Sequence, residues 1–481
     1  MATKTIKPLP EIIPLLSRPR TMSTPAHKFT REAEEKAFDK EHRRKINFNI
    51  GKYDAAVKQG TYQFHDHELG RKRASFLKTH VIENLDKYLI EFENNFTARG
   101  GKVIWAQNAK EALHEIEKIF KAKEATSVVK SKTMTSEEIH LNEFLEKKKV
   151  EVVETDLGEY IVQLAGQKPY HIVTPAMHMS KEDVSKLFQE KLNIPYIEDP
   201  QELTLVARRL LREKYITADI GITGANFIVA DIGGVAVTEN EGNARMSTTF
   251  PKTHIALVGI EKLIPSITDL GLFWPMLAHS GTGQQVTVYN TIFTGPKSEH
   301  EVDGPEEMYV VLLDNGRTAL LADVEKREAL NCIRCGACLN ACPVYKNIGG
   351  HTYSTTYSGP IGSVISPHFN GMEKFKHLSY ASSLCGACTS VCPVKINIHN
   401  LLLLNRNQSV KEGHVNVWEK RGFQFWTKAM KNRKLMNLGG ASIKNFVLHS
   451  LFKNTWGKKR TLPQVATKSF NEQWKEKSKQ K

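Results

Sequence analysis

The sequence has no cysteine in its first 331 residues and none in its last 89 of 481. Disulfides spread along the chain are therefore excluded, and the odd total of seven argues against complete pairing. No apolar run approaches the roughly 18 residues that span a bilayer. The opening stretch MATKTIKPLPEIIPLL is interrupted by prolines where an export signal would be continuous, so a cytoplasmic protein is expected. No G-x-G-x-x-G opens a helix, which leaves no dinucleotide fingerprint. Acidic charge is scarce only at one end. Residues 401–481 carry 18 Lys or Arg against 4 Asp or Glu, a net of +14, while residues 1–400 carry 49 against 48. The net charge of +15 thus belongs to the tail. What remains is the composition of an ordinary folded protein, 40% hydrophobic and 25% charged, in a chain long enough for two or three domains.

All the cysteines lie in two short runs. NCIRCGACLNACPVY holds Cys332, Cys335, Cys338 and Cys342, followed by Pro343; SSLCGACTSVCPVKI holds Cys385, Cys388 and Cys392, followed by Pro393. The first reads C-x-x-C-x-x-C-x-x-x-C-P, the spacing by which a tight loop wraps three thiolates round one cubane and sends the fourth to another cluster. The second lacks its first cysteine, and Ser382 stands in that place. Exchanged ligation gives the first cluster Cys332, Cys335, Cys338 and Cys392, and the second Cys342, Cys385 and Cys388. One corner of the second is left to water, a substrate, the hydroxyl of Ser382 or Ser383, or no iron at all, so a labile 4Fe-4S or a 3Fe-4S centre is expected there. Structural zinc usually pairs two separate C-x-x-C knuckles, which this crowding does not resemble. Gly336 and Gly386, each directly after a cysteine, suit a loop that aims amide hydrogens at sulfur.

Upstream, short apolar runs alternate with helical patterns, the rhythm of a mostly parallel sheet covered by helices. Strands are expected at KVIWA, SVVK and VEVVE, then from His171, Phe227, Val235, His254, Val286 and Met308. One long helix carries Leu77, Val81, Leu85, Tyr88, Phe92 and Phe96 on a stripe and stops at Gly100-Gly101. Thr135 and Glu138 read as a capping box. The expected domains are a polar helical extension over 1–70 with an exposed helix of mixed sign, an α/β domain over 71–315, an α-helical two-cluster ferredoxin-type domain over 316–405, and a basic helical region over 406–481. In that last region Trp418, Phe425, Trp426, Phe446, Leu451 and Phe452 fall at roughly helical intervals, and the final KSFNEQWKEKSKQK is expected to be disordered.

Within the α/β part, the glycine-rich segment 217–246 would place Thr238, Glu239, Asn240, Glu241 and Arg245 at the carboxyl ends of strands, where ligands bind in open sheets. The same residues could equally build tight turns. Ser131, Lys132 and Thr133 form a weaker anion-binding candidate. His178 and His279 receive no catalytic role, and no catalytic residue is assigned.

The segment 217–246, the tandem cysteine module and the basic tail together resemble the lactate utilisation protein B family over nearly the whole chain. The cysteine runs match it, missing eighth cysteine included. The resemblance implies that the α/β part is a lactate-utilisation domain, similar in fold to the glucosamine-phosphate isomerase, ribose-phosphate isomerase and CoA-transferase group. It also implies an electron-transfer subunit in a complex that oxidises L-lactate to pyruvate. Two partners are implied: a cysteine-rich heterodisulfide-reductase-like protein and a smaller protein bearing only the α/β domain. The residues themselves support a relay and are silent on substrate and electron acceptor. With no flavin or nicotinamide fingerprint, the oxidising chemistry is expected on a partner. A competing reading is an iron-sulfur redox sensor whose tail binds nucleic acid, though no helix-turn-helix or RNA module is visible. An iron without its thiolate is also a Lewis-acid position for a hydroxy acid, against the plainer reading of a relay with a non-cysteine ligand.

Overall fold

The computed structural model describes residues 24–456 and 461–479, and the proline-rich opening stretch lies outside them. The chain divides after Ser409 into two compact units.

Among the described residues the first unit has ten strands: β1 Lys102–Ala106, β2 Ser127–Lys130, β3 Glu151–Glu154, β4 Ile220–Thr223, β5 Phe227–Val229, β6 Gly234–Glu239, β7 Thr253–Gly259, β8 Leu263–Ile264, β9 Tyr289–Phe293 and β10 Glu307–Leu313. Six form a wholly parallel sheet in the order β1-β10-β7-β4-β2-β3. All seven residues of THIALVG in β7 are buried, as a central strand covered on both faces requires. A smaller sheet, β8-β5-β6-β9, takes β5 and β6 from between β4 and β7 and β8 and β9 from between β7 and β10; β5 pairs with β6 and β6 with β9 antiparallel, and β5 with β8 parallel. From β2 the chain moves outward to β3, whereas from β4 it moves to the other side, towards β7. The carboxyl ends of β2 and β4 therefore flank a topological switch point, where open parallel sheets leave a crevice.

Several expectations are corrected. The strand IGIT at β4 was not anticipated, though it is central to the sheet. A Cβ on Gly221 would lie 1.7 Å from the Ser247 carbonyl oxygen, so glycine is what lets the helix Asn243–Thr249 lie against this strand. The run at His171 is a loop, because the imidazole Nδ1 accepts the amides of Val173 and Thr174 at 3.1 and 3.3 Å and turns the backbone. The strand expected from Val286 begins at Tyr289. The long helix is two, His67–Glu83 and Leu85–Thr97, broken at Asn84. Thr135 and Glu138 form no capping box; Thr133 is the N-cap residue, and Glu138 is bound by Arg317. The helix Lys40–Gly60 is not merely a solvated surface, since Ile46 and Ile50 are fully buried in the main core.

That core is continuous. One hydrophobic cluster runs from Phe227, Ile228 and Val235 through Ile333, Leu339 and Tyr345 to Val394 and Leu401. The α/β part and the cysteine part thus share an interior. A buried charge network reinforces the junction: Arg317 pairs bidentately with Glu138 at 2.9 Å for both bonds and reaches Glu261 at 2.5 Å, and Arg334 of the first cysteine loop binds the other oxygen of Glu261 at 3.1 Å.

The second unit is helical, with segments Val417–Lys431, Arg433–Asn437, Gly440–Trp456 and Phe470–Lys479. Trp418, Phe425, Trp426, Phe446 and Leu451 are exposed on it, while the side chain of Phe452 lies outside the described residues. The segment expected to be disordered is a helix over Phe470–Lys479. The Glu472 carboxylate accepts the Ser469 amide at 2.7 Å and the Ser469 hydroxyl accepts the Glu472 amide at 3.4 Å, closing its first turn.

Candidate metal centre and adjoining cavity

The two cysteine loops share one backbone device. Arg334 and Gly336 lie at φ of 61° and 82° on either side of Cys335; Leu384 and Gly386 lie at 54° and 79° on either side of Cys385. Alternating left-handed residues of this kind turn successive amides towards a common centre. The Cys332 sulfur accepts the Arg334 amide at 3.4 Å. Cys342 accepts the Tyr345 amide at 3.5 Å, and Cys392 that of Ile396 at 3.4 Å. Pro343 follows Cys342 at the first position of the helix Pro343–Ile348, where its missing N–H costs nothing.

The thiols sort themselves by the neighbours whose negative charge they feel. Burial raises the Cys335 and Cys338 thiols most, and the charges of Cys332 and Cys392 add to it for both. Cys392 is pushed up to about 12 by burial and by Cys332. Burial likewise raises Cys342 and Cys388, Cys342 with help from Cys385, and Cys388 with help from Cys342 and Cys385. One set is Cys332, Cys335, Cys338 and Cys392; the other is Cys342, Cys385 and Cys388. Cys342 and Cys392, each the last cysteine of its run, feel the charge of a thiol in the other run, Cys385 and Cys332 in turn.

The two sets differ in exposure. Cys335, Cys338 and Cys392 are buried, whereas Cys385 is exposed, and the Ala387 amide and Ser383 hydroxyl lower its thiol pKa. Ser382 occupies the place of the absent cysteine, and its hydroxyl accepts the Leu384 amide at 3.1 Å. Among the described residues no three His, Cys, Asp or Glu side chains crowd close enough to hold one ion. A single zinc would draw each thiolate to about 2.3 Å, whereas a cluster takes each on a different iron atom. A buried donor lies nearby: with Nδ1 of His171 accepting amides, its proton is on Nε2, which sits beside Gly336 and Asn340. The residues fit an iron-sulfur centre, which such donors stabilise through its sulfur atoms.

Against this centre lies a cavity of about 550 Å³ at the switch point of the sheet. Ser131, Lys132 and Thr133 line it after β2, Ala225 and Asn226 after β4, and Thr238, Glu239, Asn240 and Glu241 at the end of β6. Cys335 and Arg334 form its wall on the cysteine side, with Lys262 beside them. Most of the sequence candidates are therefore brought together. Arg245 is not; its guanidinium stacks 5.4 Å over the Tyr289 ring. His279 and His178 serve structure, the first against the Val57 carbonyl at 3.0 Å and the second against Gln167 at 2.7 Å. At the acidic wall, burial and then the Asp156 charge raise Glu241 to about 7, and its carboxylate accepts the Leu157 amide at 2.9 Å. Tyr53, Lys262 and Arg334 were missed from sequence. Tyr53 had a signal, the stripe of Ile46, Ile50, Tyr53 and Val57 at helical spacing; Lys262 had none.

Comparison with known proteins places both halves. A family model described as the LUD domain matches residues 89–313, and one described as the 4Fe-4S dicluster domain matches residues 328–396. The chain is 46% identical over 371 residues to lactate utilization protein B of Bacillus subtilis (strain 168), covering 77% of each chain. It is 47% identical over 365 residues to the protein of that name from Anoxybacillus flavithermus, covering 76% of this chain and 77% of that one. With its counterpart in Macrococcus caseolyticus it shares 45% over 352 residues, covering 73% and 74%.

Proposed function

This chain belongs to the lactate utilization protein B family, and on that premise we propose that it is the iron-sulfur electron-transfer subunit of a complex oxidising L-lactate to pyruvate. The observation that carries the relay is the sorting of seven thiols into a set of four and a set of three across two loops of like conformation. Cys332, Cys335, Cys338 and Cys392 hold the first cluster; Cys342, Cys385 and Cys388 hold the second, with Ser382 at its fourth corner. Clusters in these seats supply one-electron oxidation and reduction.

The chain's own residues set the conditions. Amides of Arg334, Tyr345 and Ile396 donate to cysteine sulfur and stabilise its negative charge. Lys78, Lys262 and Arg334 feel the charge of Cys332 and favour added electrons there. The exposed Cys385 puts the second seat at the surface, where a redox partner reaches it. The two-electron step on lactate belongs to a partner, and the two expected are the heterodisulfide-reductase-like protein and the smaller α/β-domain protein.

Anaerobic purification with iron and sulfide counting, followed by electron paramagnetic resonance, tests this reading. Clusters reduced by L-lactate only when both partners are present support it. A colourless, iron-poor preparation that remains fully active overturns it.

A further inference from the structure

We propose that the cavity beside Cys335 binds an organic molecule by an oxyanionic end resting on Arg334 and Lys262, and that its occupancy opposes reduction of the first cluster. The cationic wall is incompletely satisfied. The Arg334 side chain is only 9% exposed and its guanidinium stacks 4.4 Å over the Tyr357 ring; its Nη2 donates to Glu261 at 3.1 Å, yet its Nη1 has no hydrogen-bond partner among the described residues. A buried guanidinium N–H without an acceptor is costly, and an oxyanion is the acceptor that suits it best. Lys262, which lines the same wall, has no hydrogen bond or ion pair among the described residues, and Arg334 repels it. Glu261 already accepts from Arg317 at 2.5 Å and from Arg334 at 3.1 Å, and it attracts Lys262 through charge, with no hydrogen bond between them among the described residues.

The acidic part of the lining restricts the rest of the ligand. Asp156 and Glu241 repel a second anionic group there. Asn226, Thr238 and Gln284 also line the cavity and are neutral hydrogen-bonding groups. The ligand is therefore anionic at one end and neutral, hydroxylated or cationic at the other. The volume of about 550 Å³ admits a molecule well beyond a three-carbon acid. A carboxylate and a phosphate share the chemistry that the two cations recognise.

Arg334 ties occupancy to redox state. Its amide donates to the Cys332 sulfur while its guanidinium faces the cavity, and Lys262 also feels the Cys332 charge. An added electron on the cluster and an anion in the cavity draw on the same two cations. Linkage makes the effect mutual: reduction weakens anion binding, and a bound anion lowers the cluster's potential. The binding half stands apart from the proposed lactate oxidation; the redox half rests on the iron-sulfur reading of the cysteines.

The test uses the holoprotein without partners and three probes, L-lactate, pyruvate and inorganic phosphate, at millimolar concentration. Calorimetry is expected to show binding of the carboxylates, the phosphate or both. The first cluster's midpoint potential is expected to fall with the bound probe. Lys262→Met should weaken binding at least tenfold and abolish the shift while keeping wild-type iron content; Lys262→Arg should retain both. Binding of none of the three probes, or binding unaffected by Lys262→Met, overturns the site. Binding without a change in potential overturns the coupling. Lactate oxidation by the reconstituted complex is a separate measurement, so its failure is distinguishable from either result.

Discussion

The amide of Leu384 donates to the Ser382 hydroxyl at 3.1 Å, in the same place in its loop where the Arg334 amide donates to the Cys332 sulfur at 3.4 Å. With Leu384 and Arg334 also sharing a left-handed backbone, the second loop is shaped to hold a ligand atom at position 382. Ser382→Cys is therefore expected to complete the set of Cys342, Cys385 and Cys388. Retained iron should rise and its loss in air should slow several-fold, as read by iron counting and electron paramagnetic resonance. Unchanged iron loss would count against Ser382 as the fourth corner.

The proposed exchange of Cys342 and Cys392 gives opposite outcomes for two like substitutions. Cys392→Ser should remove the signal of the first, buried centre and leave the second. Cys342→Ser should do the reverse. If each run held its own cluster, the two results would be swapped. Spectra of both variants after anaerobic reconstitution decide between these arrangements.

Arg317 is fully buried and answers two carboxylates, Glu138 and Glu261. Replacing it by methionine removes the charged partner of Glu138 and leaves Glu261 to Arg334, and a loss of about 3–5 kcal/mol is expected near neutral pH. Burial alone would raise Glu261, but Arg317 and Arg334 outweigh it and hold the carboxyl at about 2. A pKa lower in the folded than in the unfolded chain gives stability that is present above the ordinary carboxylate range and lost as pH falls towards about 2. In Arg317→Met both carboxylates take up protons more readily, so the gap to the wild type should narrow in acid. Denaturant unfolding of both proteins at about pH 7 and about pH 4 checks this.

Gly336 and Gly386 have nearly the same positive φ but different surroundings. A Cβ on Gly336 would meet Val173 at 3.0 Å and His171 at 3.2 Å; on Gly386 it would meet only His399, at 4.0 Å. Each alanine substitution carries a backbone cost of about 1–2 kcal/mol. Gly336→Ala adds a steric cost, so it should lower iron incorporation and thermal stability more than Gly386→Ala. Equal effects would mean that backbone strain alone matters.

Legibility in the sequence followed the kind of signal each residue carries. The cysteine runs were readable because cluster ligation demands fixed spacing, and Ser382 stood out as an interruption of it. β7 and β10 were readable because strands buried on both faces become unbroken apolar runs. β4 escaped because IGIT is short and its glycine answers a helix that lies against it from distant sequence. The polar residues after β6 were placed correctly from the strand-end rule, yet Arg245, one helical turn on, faces Tyr289 instead. The cations Lys262 and Arg334 carry no pattern of their own. Their meaning appears only when the β7–β8 connection and the first cysteine loop meet over Glu261.

The uninterrupted interior that joins the sheets to both cysteine loops leaves no seam along which the halves could swing apart. Close-packed interiors transmit displacement rather than absorb it, so the gap between the two redox seats is as fixed as a bond length in a truss. In the relay proposed above, traffic along such a conductor would be governed at its terminals: by whatever docks at Cys385, and for how long.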